Sequence, residues 1–358
     1  MKKVNLLLVC FLAVNFFSCS SDDDSSAKNN DAEINAQENE PLEINNVSSA
    51  LIIEGATKKT GSITPTGGLE FTMDYSKQSA FQKNGFEIEF NSASDYTGAY
   101  IQLKDENGMA DSYFDIPRSE ISISGKGEQT KKNRSFLKGK SAGKENDATI
   151  EVNLEESVTA GTFCYLICLY DGEGNISEPT EVCVTVEAWG GKSDLVGSWK
   201  FTKEIADNEE IKVNEEDCST FDYTLCNEEV IVDECSTVNF LNLKFNSDGT
   251  FNYQNSFSEK NINWNNSDEA CDVIYDEEDT SADKSGKWAY NEEDNKLTLV
   301  VFSETETYDG EEESYVFENG ALDLEGTITI SGSTLIIKEL FENVGLEDDI
   351  YEYYFEKE

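Results

Sequence analysis

Cys19 stands where an apolar run ends and an acidic one begins, in "FFSCSSDDD" at residues 16–24. A thiol at such a seam is a site for alkylation. Elsewhere the chemistry is restricted. The chain has no histidine, which removes the commonest general base, the commonest zinc ligand and every Ser–His or Cys–His nucleophile pair. Paired carboxylates are the acid–base chemistry that remains. With 73 Asp and Glu residues, any two acids make a pair, and the pattern singles out none. No catalytic residue is assigned, and the chain is read as non-enzymatic, with no cofactor and no metal site.

Residues 1–18 read as a targeting segment. Lys2 and Lys3 give a positive start, and "VNLLLVCFLAVNFF" is an apolar stretch of signal-peptide length. A transmembrane helix needs about 20 apolar residues. The zone "FFSC" resembles the bacterial lipobox, with Phe16 at the usual Leu position, a loose form common in lipoproteins of the Bacteroidetes. The resemblance implies a diacylglycerol-modified Cys19, residues 1–18 being removed. Each buried methylene of such chains contributes about 0.8 kcal/mol, so two or three chains hold a domain on a bilayer durably. The residues after the anchor, Ser21, Asp22, Asp23 and Asp24, resemble the acidic surface-export signal of the same lipoproteins. The implied location is the outer membrane, facing the cell exterior. An ordinary cleaved signal peptide followed by a solvated tether is the alternative.

Removing residues 1–18 takes away two lysines and no acid, so the net charge moves from −46 to −48. DNA, RNA and anionic headgroups repel such a chain. Nucleic acid is excluded as a partner, and the membrane is reached only through the anchor. Residues 19–46 are rich in Ser, Asn, Asp and Glu and read as the lipidated cysteine followed by a disordered acidic tether.

From 47 to 188 the pattern is short strands of period two. "FEIEF" (86–90) puts Phe86, Ile88 and Phe90 on one face and two glutamates on the other. "AYIQL", "ATIEVNL", "FCYLICLY" and "EVCVTVEA" behave alike, with turns such as "YDGEGN" between them. This predicts a β-sandwich. "GTFCYLICLYDGEGNISEPTEVCVTV" (161–186) is similar to the last hairpin of immunoglobulin-like or fibronectin type III-like domains in Bacteroidetes surface proteins, and "GAYIQLKDENGMADSYFDIP" (98–117) resembles a middle segment. Such domains are usually spacers or adhesion modules. A tight hairpin centred on Glu173–Gly174 would set Cys164 opposite Cys183, whereas a longer loop would make Cys168 the partner. "DGEGN" (171–175) spaces oxygens like a calcium loop but is read as turn residues. The basic stretch 126–144 is read as a solvated loop, a contact for an anionic partner being the alternative.

Residues 189–194 form a glycine-bearing linker. A meander of hairpins follows over 195–358, including an Asp-Gly turn at Asp248–Gly249 and "GKWAYNEEDNKLTLVVF" (286–302). That is enough chain for one antiparallel barrel, making the whole molecule all-β. Gly197 and Trp199, with "LKFNSDGTF" and "GKWAYNEEDNKLTL", resemble the G-x-W strand and following hairpins of lipocalin-like domains in Bacteroidetes lipoproteins. The resemblance implies that Trp199 packs across the closed end of the barrel. It lacks the customary Arg cover, for which Lys338 or Lys357 would stand in. It also implies a Cys235–Cys271 disulfide, leaving Cys218 with Cys226. The exported setting permits such bridges.

Three roles follow. The barrel would hold a small apolar ligand between walls such as Trp264, Phe302, Tyr315 and Tyr353. Alternatively, the chain is a surface glycan-binding or adhesion lipoprotein, using Trp189 or Trp264 on sugar rings, or a structural protein with no ligand.

Overall fold

The computed structural model describes residues 23–123, 148–206, 209–341 and 349–358. The targeting segment 1–18, Cys19, Ser21, Asp22 and the basic stretch 126–144 lie outside these residues. So do the side chains of Asp23 and Asp24, whose backbone opens the first helix.

The first unit is a two-sheet sandwich. One sheet holds Leu51–Ile52, Ala148–Leu154, Phe86–Ser92 and Phe71–Thr72, with Ser122–Ile123 beside the second of these. The other runs Thr57–Thr60, Ser112–Pro117, Gly98–Asp105, Gly161–Tyr170, Thr180–Glu187 and Lys77–Phe81, with Gly108–Met109 appended. Alternation decides the faces. Phe86, Ile88 and Phe90 are buried while Glu87 and Glu89 are exposed. The core between the sheets includes Ile88, Ile150, Leu103, Tyr165 and Val184. Cys164 lies opposite Cys183 and is bonded to it, as a turn centred on Glu173–Gly174 requires. Cys168 stays free and buried, and burial pushes its thiol up to about 12, leaving it unreactive.

Residues 23–46 correct the expectation of a disordered tether. Asp23–Glu38 and Ile44–Ala50 are helices. Ile44 and Val47 enter the sandwich core. The first helix is fastened by polar contacts: Asp31 accepts from Ser193 N–H and Oγ (2.7–3.0 Å), Asn35 donates to Glu292 (2.6 Å) and Glu38 accepts from Ala188 N–H (2.8 Å).

The second unit is a closed eight-strand antiparallel barrel. Its strands are Gly197–Ala206, Glu228–Phe245, Thr250–Ile262, Tyr275–Asn291, Lys296–Tyr308, Glu311–Ser331, Thr334–Phe341 and Asp349–Lys357. Each pairs with the next except that the last pairs with the first, and Gly197–Lys200 closes the ring on Asn242–Phe245. Trp199, Phe201, Phe245, Phe251, Trp288 and Phe355 fill the interior nearest the sandwich. Trp199 Nε1 donates to Leu195 O at 2.6 Å, and Lys357 Nζ lies 5.1 Å above its ring, the covering cation expected there. Gly286 sits at a register shift against the neighbouring strand, where a Cβ would meet Val300 O at 2.0 Å. Gly249, at φ +78°, turns the hairpin after Asp248.

The linker is docked. Gly190 donates to Trp288 O and accepts from Tyr290 N–H, while Trp189 stacks on Phe81 at 5.8 Å. Among the described residues, no helix is long and apolar enough to cross a membrane.

Candidate functional site

The strands overshoot the barrel at the end away from the sandwich. Thr250–Ile262 has 13 residues, so it carries the chain roughly 40 Å from the turn against Trp189. Beyond it, the hairpin Glu216–Leu225 and Glu228–Phe245 stands beside a seven-residue helix, Trp264–Ala270. Together they form a distal lobe with its own buried residues, Leu225, Val232 and Ile262.

Local chemistry fixes this lobe. Cys226 and Asn227 both have positive φ (51° and 73°), the requirement of a tight two-residue hairpin turn. That turn sets Cys218 opposite Cys235, and the two are bonded. Cys226, at the tip, is bonded to Cys271 at the end of the helix. The expected pairs, Cys235–Cys271 and Cys218–Cys226, are therefore corrected: a cysteine at the hairpin tip cannot face its own strand. Asn263 caps the helix by accepting from Asn266 N–H at 3.0 Å, and Ser267 exchanges hydrogen bonds with Ile274.

Trp264 is 40% exposed on this lobe. Its ring is propped by Tyr223, with centroids 4.6 Å apart at 66°, and by Phe221 at 5.9 Å. The Tyr223 hydroxyl donates to Asp268 at 2.9 Å, a bond to a carboxylate that raises its pKa. A disulfide, a phenol–carboxylate bond and a cap thus hold in place one indole that is partly exposed to solvent. No family model matches this chain. No curated protein matches it either.

The other expected walls do not converge. Phe302 packs against the small cluster of Phe81, Ala289 and Val300 beside the sandwich, with Lys83 Nζ 5.9 Å from its ring, Tyr315 is exposed, and Tyr353 is sealed in the barrel core. Trp189, expected as an exposed sugar platform, is half-buried between the two units, with Lys287 Nζ 5.3 Å from its ring. Gly197 and Trp199 belong to the barrel base and are structural. Asp171 of the "DGEGN" turn spends its carboxylate on Glu173 N–H, Asn175 N–H and the Asn175 amide.

Toward the lobe, the barrel interior turns polar. Lys284 lies 2.7 Å from Asp323 and 3.4 Å from Glu304, all largely buried. Burial pulls the Lys284 pKa down, but the two carboxylates outweigh it and hold it above the usual value. Glu204 and Glu339 are also buried, near Tyr353. Sequence reading passed over all of these. Their signal was acids at positions that continue an inward-facing row, as Glu339 continues Leu335 and Ile337.

Proposed function

We propose that this is a lipid-anchored surface glycan-binding protein that presents its distal lobe to the exterior. The observation that carries the reading is the exposed Trp264 ring, held by Tyr223, Phe221 and the Cys226–Cys271 bridge. A sugar ring offers an apolar CH face that stacks on an indole, and a prefixed ring loses little entropy on binding. The lobe stands at the far end of the barrel from the N-terminal helix, where an anchored molecule has its outer surface. The Asp23–Glu38 helix, about 24 Å long, links the anchoring region to both units and serves as a stiff mount.

The apolar-ligand reading is less well supported. The barrel interior is occupied by its own rings near Trp199 and by charged side chains beyond them. A hollow apolar lumen would be the supporting feature.

The test is a glycan array probed with the full mature chain. Discrete hits that survive high salt are expected. An array without any such hit contradicts the proposal.

A further inference from the structure

Resting on the glycan reading above, we infer that the Trp264 face takes a neutral pyranose polymer and rejects acidic ones. Two independent features meet there. The first is the ring platform. The indole is the large surface, and Tyr223 and Phe221 keep it from collapsing onto the strands. The helix that carries it is tied at both ends, by the Asn263 cap and by the Cys226–Cys271 bridge. Exposed carboxamides, Asn265 and Asn266, follow Trp264 directly and offer both donors and acceptors to ring hydroxyls.

The second feature is charge. The segments that build the lobe, residues 213–243 and 260–283, contain sixteen Asp and Glu and a single cation, Lys260, whose Nζ lies 4.5 Å from the Tyr275 ring. Glu228, Glu229, Asp268, Glu269 and Asp272 are exposed. At physiological salt, repulsion acts over about 8 Å, a distance spanned by one or two sugar units. A uronate or sulfate on a stacked sugar would sit inside that field, with sixteen acids against the one cation, Lys260, which already lies over the Tyr275 ring. A neutral sugar stacks without this cost, and its binding carries no ionic term.

Affinity electrophoresis and calorimetry of the full mature chain test the inference. The probes are a neutral β-glucan, a neutral mannan, polygalacturonate and heparin. At least one neutral polymer should bind, with affinity unchanged within about twofold between low and high salt. Trp264→Ala should weaken it about thirtyfold or more, the usual effect of truncating a central aromatic anchor. Trp264→Phe should retain part of the binding. In the unmodified chain the exposed tryptophan should become protected from acrylamide quenching when the polymer is bound, a readout that needs no variant.

Tighter binding of polygalacturonate or heparin would overturn the stated class. Neutral binding that persists in Trp264→Ala, without quenching protection in the parent, would overturn the stated site while leaving the glycan function intact. Failure of every polymer, here and on the array, would overturn the glycan function itself.

Discussion

Glu38 supplies the sharpest pH prediction. Its side chain is buried where the first helix meets the end of the sandwich and the barrel. Burial pushes its pKa up from 4.5 to about 8, helped by Glu187 and Glu292, while the Ala188 N–H pulls the other way. Glu187 is itself committed to Ser79 and Asn291. At about 1.4 kcal/mol per unit, the shift sets a ceiling of about 5 kcal/mol. An effective dielectric nearer 20 than 4 discounts this to about 2–3 kcal/mol. The folded pKa lies above the unfolded one, so the folded chain holds the extra proton between them. Stability is full below about pH 4.5 and is lost as pH rises toward 8. Glu38→Gln keeps an acceptor for Ala188 and a donor toward Glu187 without the charge. In urea titrations it should match the parent near about pH 5 and exceed it by about 2–3 kcal/mol near about pH 9. An identical difference at both pH values, or a weaker variant at the higher one, would refute the reasoning.

Four further outcomes are expected. Non-reducing peptide mapping should recover Cys218 joined to Cys235 and Cys226 joined to Cys271. Replacing Cys226 and Cys271 together by Ser should lower stability by up to about 4 kcal/mol for a loop of this length and increase acrylamide access to Trp264. Lys284→Met should cost about 3–5 kcal/mol in denaturant titration by leaving Asp323 and Glu304 without their cation, with partial recovery on adding Asp323→Asn. Cys19→Ser should abolish palmitate labelling and release the protein from cells. Unchanged labelling would remove the anchor from the account.

The strands were legible because burial imposes a period of two. Phe86, Ile88 and Phe90 declare a face by alternation alone, and Asp248–Gly249 and Glu173–Gly174 mark turns by residue type. Trp199 at the closed end with a lysine cover came from the resemblance to lipocalin-like domains, not from alternation, and of the two lysines expected there Lys357 lies over the ring. The first helix was not, because what fastens it is Asp31, Asn35 and Glu38 reaching polar partners in distant segments, which leaves no apolar stripe to read. The barrel's disulfides were misread because pairing depends on strand register. The legible clue was the Cys226–Asn227 turn, whose centre sets Cys218 against Cys235. The interior charges escaped notice because Lys284, Glu304 and Asp323 come from three consecutive strands, and the pairing register with its bulges, which sets Lys284 opposite Glu304 and near Asp323, is not written in any local pattern. Trp264 was picked out as an aromatic residue, but its partly exposed position depends on a disulfide and a hydroxyl bond that no local pattern encodes.

The most direct test of the account uses intact cells that display either the parent chain or Trp264→Ala at equal surface levels. Incubated with a fluorescent neutral polysaccharide that binds the purified protein, parent cells should be labelled and variant cells should return to background. Equal labelling of the two, or none on parent cells, would contradict the proposal that this molecule captures sugars through its distal lobe.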